Sequence, residues 1–316
     1  MSGRECCENP PALSSSSGNG CVLQLGSFNT YVSGPSTSKL AILLVSDVYG
    51  YEAPNLRKLA DKVAAAGYYV VVPDFFYGDP YTMEKTLSIW IQSHGTAKGF
   101  EDAKQVVAAL KDKGISAIGA AGFCWGAKVV TELSKSDYIQ AVVLLHPSLV
   151  KVDDFKEVKV PIAILAAEID KISPPELIKQ FEEILSSKPE VDKFVKNFPG
   201  VKHGWTVRYN VENKEAVQHA EEAHRDMLDW LTKYVNENRD SVDGKEQVKV
   251  IYHDNNSMNS TRAEAYKCKD ISGASSPSGK LKCCIPSESK SVAFQCYCLF
   301  PGTNPTSYGW LVIVIF

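Results

Sequence analysis

The chain has no apolar run long enough to cross a bilayer. The nearest candidate, Trp310 to Phe316, falls far short of the roughly 20 residues a spanning helix needs. Met1 to Cys7 lacks the apolar core of a signal peptide. Charge of one sign is also scarce. A net charge of -3 over 316 residues builds no field that would hold nucleic acid or an anionic membrane. Disulfide-framework spacing is absent as well. The nine cysteines are an odd number, and the adjacent pairs Cys6-Cys7 and Cys283-Cys284 do not easily bond to each other. These absences lead us to expect reduced thiols in a cytoplasmic protein, with neither nucleic acid nor membrane as partner.

What is present is an alternation of strand and helix patterns from Val22 to about Val235. Leu40 to Val45 is a continuous apolar run, as expected of a strand covered on both faces. Pro54 to Ala66 carries Leu56, Leu59 and Val63 at helical spacing, and Gly67 stops it. Tyr68 to Val72, Ile139 to Leu145 and Pro161 to Ala167 read as further strands, and Phe100 to Leu110 and Glu215 to Val235 as amphipathic helices. Such alternation implies a mostly parallel sheet with helices on both faces and a site at the carboxyl ends of the strands. Residues 1–21, rich in Pro, Ser and Gly, read as a flexible arm. Residues 22–236 read as one α/β domain. Residues 237–316 show no sustained period and read as an irregular, mostly disordered tail. Five cysteines fall in that tail (Cys268, Cys283, Cys284, Cys296 and Cys298), but their spacing matches no zinc finger and His253 stands apart, so no metal is expected.

The residues Gly122-Phe123-Cys124-Trp125-Gly126 carry the chemistry. They follow the strand-like Ala117 to Ala121 and precede the helix-like Ala127 to Leu133. A strand that enters a helix through so sharp a turn strains its central residue and raises the side chain above the sheet, with glycines where a Cβ would collide. A helix N-terminus favours the thiolate, the nucleophilic form of cysteine. Downstream, Pro161 to Ala167 runs into Glu168-Ile169-Asp170, and Lys193 to Phe198 runs toward His203-Gly204-Trp205. An acid and a histidine past successive strand ends, in the order nucleophile, acid, histidine, follow the pattern of an α/β-hydrolase triad. Cys124, Asp170 and His203 are the expected catalytic residues. His146 also follows a strand and is a candidate for support behind them, and Glu52 is expected to pair with Arg57 on a solvated helix start.

From about Cys6 to Val235 the chain resembles the dienelactone hydrolase (carboxymethylenebutenolidase-like) family of α/β-hydrolases, particularly its plant members. The resemblance rests on Cys6-Cys7-Glu8-Asn9-Pro10-Pro11, Ser46 to Pro54, Pro73 to Pro80, the cysteine elbow and His203-Gly204-Trp205. It implies the same triad, with an oxyanion hole made by the backbone N–H groups of Val48 and Trp125. It places Asp47 where bacterial members carry a thiol-contacting glutamate. Of the two arginines that hold the substrate carboxylate there, one is replaced around Gly78 and the other corresponds to Arg208 at a spacing one residue longer. Tyr49, Phe76, Tyr77, Trp125 and Trp205 are expected to wall an apolar pocket. The implied partner is a small-molecule ester or lactone, the implied cofactor none, and the expected state a monomer or weak dimer.

Three readings stay open from the residues. The first is a thiol esterase or lactonase. The second is a glucan endo-hydrolase, the label of some plant relatives, for which Glu168, Asp170 and Asp47 are the carboxylates on offer; glycoside hydrolysis normally needs two such groups flanking the bond. The third is a non-catalytic small-molecule binding protein with a redox-sensitive Cys124.

Overall fold

The computed structural model of the protein describes residues 7–236 and, beyond them, five strand segments between 248 and 315. Chain contacts divide it into two units, Met1–Arg239 and Asp240–Phe316. The first holds an eight-stranded sheet: β1 (Cys21–Leu25), β2 (Phe28–Ser33), β3 (Leu40–Val45), β4 (Tyr69–Pro73), β5 (Ala117–Phe123), β6 (Ala141–Leu145), β7 (Ile162–Ile169) and β8 (Lys193–Lys202). In space the order is β1-β2-β4-β3-β5-β6-β7-β8. The hairpin β1–β2 pairs antiparallel with β4, and every pairing from β4 to β8 is parallel.

Period-2 alternation divides the core. Ala41, Leu43 and Val45 of β3 enter one apolar layer, and Ile42 and Leu44 enter the other. The first layer is covered by α3 (Thr96–Asp112), α4 (Trp125–Leu133) and α5 (Pro175–Ser186), and the second by α1 (Pro54–Ala64) and α6 (Lys214–Tyr234). A short helix, α2 (Leu87–Ser93), adds Trp90 to the first layer. Both sheet faces are thereby buried, which is why the central strands read as unbroken apolar runs.

The hairpin β1–β2, helix α2 and the 3-10 turn Val152–Lys156 lie where the sequence pattern gave no clear period. The arm read as loose is tied down from Cys7 onward. Arg57 donates from Nη1 to the carbonyls of Ser15 and Ser17 at 2.8 and 3.3 Å, and Asp61 accepts from the N–H of Asn19 at 2.7 Å. Tyr31 bonds Asp61 and accepts from the N–H of Gly20, and burial with the Asp61 contact pushes its phenol up to about 12. Arg57 itself corrects an expectation. Its side chain is 1% exposed rather than solvated, stacked between Tyr31 and Tyr51, with Glu52 at 3.9 Å.

The second unit was read as irregular. Its described segments are β9 (Val248–Tyr252), β10 (Tyr266–Ser276), β11 (Gly279–Pro286), β12 (Phe294–Pro301) and β13 (Tyr308–Ile315), paired antiparallel in the order β10-β11-β12-β13-β9. The apolar C-terminal run, which had no evident partner in the sequence, pairs with β12 on one side and β9 on the other. The expectation of disorder otherwise falls on residues outside those described.

Candidate active site

Cys124 sits at the junction of β5 and α4 with φ 51° and ψ -109°, a left-handed conformation that is costly for a residue bearing a Cβ. The neighbouring glycines are demanded by space. A Cβ on Gly122 would lie 2.3 Å from the carbonyl oxygen of Gly126, and one on Gly126 would lie 2.1 Å from that of Val45. The end of β6 clamps the turn: the Cys124 N–H donates to Leu145 O, and the Ser148 N–H donates to Cys124 O, each at 3.1 Å. The thiol does not cap α4, so the side chain is not spent on the helix terminus. Cys7, Cys21 and Cys124 all carry thiols.

Asp170 follows the last residue of β7. Its Oδ1 accepts from the N–H groups of Ile172 and Ser173 at 2.8 and 3.2 Å, which fixes the carboxylate above the turn. Oδ2 faces Nδ1 of His203 at 2.7 Å, with both side chains at 2% exposure or less. An acceptor at Nδ1 sets the tautomer, so that Nδ1–H donates and Nε2 is the basic nitrogen. The Asx turn and the histidine contact coexist on one carboxylate.

His146 packs its ring edge-on against His203, with centroids 5.0 Å apart, and its Nε2 lies 2.8 Å from Thr206 Oγ1. Complete burial, then His203 and Arg208 nearby, hold its pKa well below the usual histidine range, so this ring is neutral. His224 of α6 donates from Nε2 to Thr206 O at 2.8 Å. The sequence offered no sign of Thr206, because the contact spans 60 residues of chain on one side and 18 on the other.

Burial depresses the His224 pKa to about 4 from an ordinary value of 6.5. The native state therefore favours the neutral ring. Its contribution to stability is complete above pH 6.5 and is lost as pH falls toward about 4, on the order of 3 kcal/mol from this group. We expect urea unfolding midpoints to drop between about pH 7 and about pH 4, and His224→Gln to drop less steeply over the same window.

Asp47 and Arg208 are brought together in a way the sequence did not indicate. Asp47 Oδ1 accepts from the Tyr49 N–H at 2.9 Å, and Oδ2 lies 3.2 Å from Arg208 Nε, both side chains 2% exposed. Arg208 also donates from Nη1 to Glu8 O at 2.7 Å, and its guanidinium stands 5.7 Å from the Tyr49 ring centroid. Arg208, expected to await a substrate carboxylate, is thus built into a buried ion pair. Asp47, expected beside the thiol, shares its carboxylate with that arginine. Val48 lies between these anchored neighbours and is itself buried.

The five aromatics expected to wall one pocket are not brought together in either of two cavities. A cleft of about 810 Å³ is lined by His203, Trp205 and Arg208, by Asn9 to Ala12 of the arm and by the start of α6. A separate cavity of about 320 Å³ is lined by Phe75, Phe76, Tyr77, His94, Lys98 and Trp125. Tyr49 lines neither. Trp205 packs on Phe198 and His146 on the α6 side of the sheet, whereas Phe76 and Trp125 meet edge-to-face on the other. Among the described residues no group of His, Cys, Asp and Glu is arranged to hold a metal ion, and no helix is long and apolar enough to cross a membrane.

A mostly parallel sheet with a strained cysteine at a strand–helix elbow, followed by an acid and a histidine at later strand ends, is the architecture of the α/β hydrolases. The dienelactone hydrolase family model matches residues 28–235, and the chain belongs to that family. An endo-1,3;1,4-beta-D-glucanase of Zea mays is 44% identical over 193 residues, covering 59% of this chain and 63% of its own length. A carboxymethylenebutenolidase homolog of Xenopus tropicalis is 34% identical over 225 residues, 69% of this chain and 92% of that one. A crystal structure of a protein assigned as a dienelactone hydrolase from Klebsiella pneumoniae has a TM-score of 0.57 at 20% identity, over 66% of this chain and 93% of that one, a likeness of fold.

Proposed function

We propose that the protein hydrolyses an ester or lactone of a small molecule through a Cys124-His203-Asp170 triad and a thioester intermediate. The observation that carries this reading is the buried 2.7 Å contact of Asp170 with His203, in a family member whose elbow residue is a cysteine at φ 51°. In the mechanism, Nε2 of His203 takes the thiol proton and the sulfur attacks the carbonyl carbon. The C–S bond forms as the π electrons move to oxygen. That oxyanion is met by the N–H groups of Val48 and Trp125, donors of a kind worth roughly 3 kcal/mol each. Collapse expels the alkoxide, which leaves with the proton from His203. Water, deprotonated by the same nitrogen, then attacks the thioester, releasing the acid and restoring the thiol. A reducing compartment keeps such a thiol available, so a cytoplasmic setting accompanies the reading.

The maize relative gives a glucanase reading its one support. The carboxylates weigh against it. Asp170 is engaged by His203, Asp47 by Arg208, and Glu168 accepts from the N–H of Gly200 at 2.7 Å. The large cleft has Glu215 as its one lining carboxylate and the small cavity has Asp79, so neither presents the flanking pair that glycoside hydrolysis uses. Intact-protein mass spectrometry after brief mixing with an aryl ester should show one acyl group, mapped by peptide analysis to Cys124. Reducing ends released from mixed-linkage glucan, with no acyl adduct, would reverse the assignment.

A further inference from the structure

The cysteine expected to attack substrate is sealed. Cys124 is 0% exposed, and it lines neither the 810 Å³ cleft nor the 320 Å³ cavity, although His203 lines the first and Trp125 the second. A substrate must reach the sulfur, so something above it has to move. The N-terminal segment lines the cleft that His203 also lines.

Its attachment has three zones. Residues 14–20 are anchored firmly: the Ser14 N–H donates to Glu52 O, Arg57 holds the carbonyls of Ser15 and Ser17, and Asp61 holds the N–H of Asn19. At the other end Cys7 is buried at 5% exposure among the aromatics of the same apolar layer as Cys124. The Tyr49 hydroxyl donates to Cys7 O at 2.6 Å, and Arg208 Nη1 donates to Glu8 O at 2.7 Å. Between these ends Asn9 turns the chain at φ 54°, a region asparagine tolerates, and Pro10-Pro11 carries no N–H to pair. This middle stretch, Asn9 to Ala12, lines the cleft opposite His203. It is a stiff strut between a fixed anchor and a latch that includes the bonds to the Cys7 and Glu8 carbonyls and a contact of the Cys7 side chain with Tyr81.

The latch contacts matter because of where they land. Tyr49 and Asp47 flank Val48, and Arg208 joins Asp47 to the carbonyl of Glu8. The segment rests on the loop that is proposed to supply an oxyanion donor.

We propose that Cys7–Ala12 is a displaceable cover that selects substrates by size. With the latch closed, the cleft and the thiol are separate. Release of the Cys7 and Glu8 carbonyls opens the route from the cleft to Cys124, and substrates too large to enter without that release depend on it. The inference rests on the triad reading for its meaning, but its test measures access and not turnover.

The test compares the full chain, the full chain with Tyr49→Phe, and a chain lacking residues 1–12. Each is treated with iodoacetamide and with a bulky aryl maleimide at neutral pH, and modification of Cys124 is followed by peptide mass spectrometry. Loss of the single Tyr49 bond should speed alkylation about three-fold, and loss of the whole cover about ten-fold or more, with the larger gain for the bulky reagent. Equal Cys124 rates in all three proteins, or an equal gain for both reagents, would overturn the cover. Circular dichroism checks that the shortened chain is folded; where it is not, the Tyr49→Phe rates decide alone. Faster alkylation without ester hydrolysis in any protein would leave the cover standing and remove the esterase, whereas ester hydrolysis with equal alkylation rates would do the reverse.

Discussion

Cys124→Ala should lower kcat for a small aryl ester by roughly four to six orders of magnitude, because the attacking atom is gone and only binding and the oxyanion donors remain. His203→Ala should cost nearly as much, since without Nε2 the thiol has no base and the leaving group no acid. Asp170→Asn should cost less, on the order of a thousand- to ten-thousand-fold, because the residue orients and does not react. Its effect comes through Nδ1: an amide at 2.7 Å can present its NH2 to the ring and favour the wrong tautomer. The double variant Cys124→Ala/His203→Ala should be no slower than Cys124→Ala alone, because the two act as one unit. Stopped-flow and steady-state rates of aryl ester hydrolysis check all four. Additive losses, or turnover retained in Cys124→Ala, would show that the ester chemistry runs elsewhere. Glucan cleavage unaffected by Cys124→Ala would point to the carboxylates instead.

The proposed triad could be named from the sequence because each member stands at an element boundary that the local pattern marks. Cys124 follows the apolar strand β5 and precedes α4, Asp170 is the residue after β7, and His203 the residue after β8. A parallel sheet brings consecutive strand ends to one edge, so order along the chain translated into proximity. What was not legible depends on contacts between residues far apart in sequence. The bond of Arg208 to Glu8 spans 200 residues and that of Arg57 to Ser15 spans 42. No periodicity announces either. Ser- and Pro-rich composition pointed to a loose arm, yet two buried guanidiniums pull its carbonyls onto the domain. The direction of Trp205 was hidden for a related reason: it follows His203 closely in the chain, but its ring packs on Phe198 and His146, whereas Phe76 packs on Trp125. Sequence proximity to His203 located the backbone and not the side chain.

Removing one member of the Asp47–Arg208 pair should cost more stability than any other single change near the site. Both side chains are 2% exposed, and the carboxylate oxygen stands 3.2 Å from Nε. Truncating one leaves the other as a buried charge without its counterion, at about 3–5 kcal/mol. For a domain of this size that corresponds to a fall in Tm of roughly 6–20 °C. Arg208→Met should do this, and so should Asp47→Leu. The double variant Asp47→Leu/Arg208→Met should be more stable than either single one, because the desolvation penalty is removed from both sides. Thermal unfolding of the four proteins closes the cycle. The same variants separate two roles for Arg208. An arginine reserved for a substrate carboxylate would, on replacement, raise KM for anionic esters and spare neutral ones. An arginine holding Asp47 and the Glu8 carbonyl should alter both ester classes alike, through the loop that carries Val48, and should speed alkylation of Cys124 by loosening the latch. We expect the second pattern, since the guanidinium already has a carboxylate and a carbonyl in contact with it.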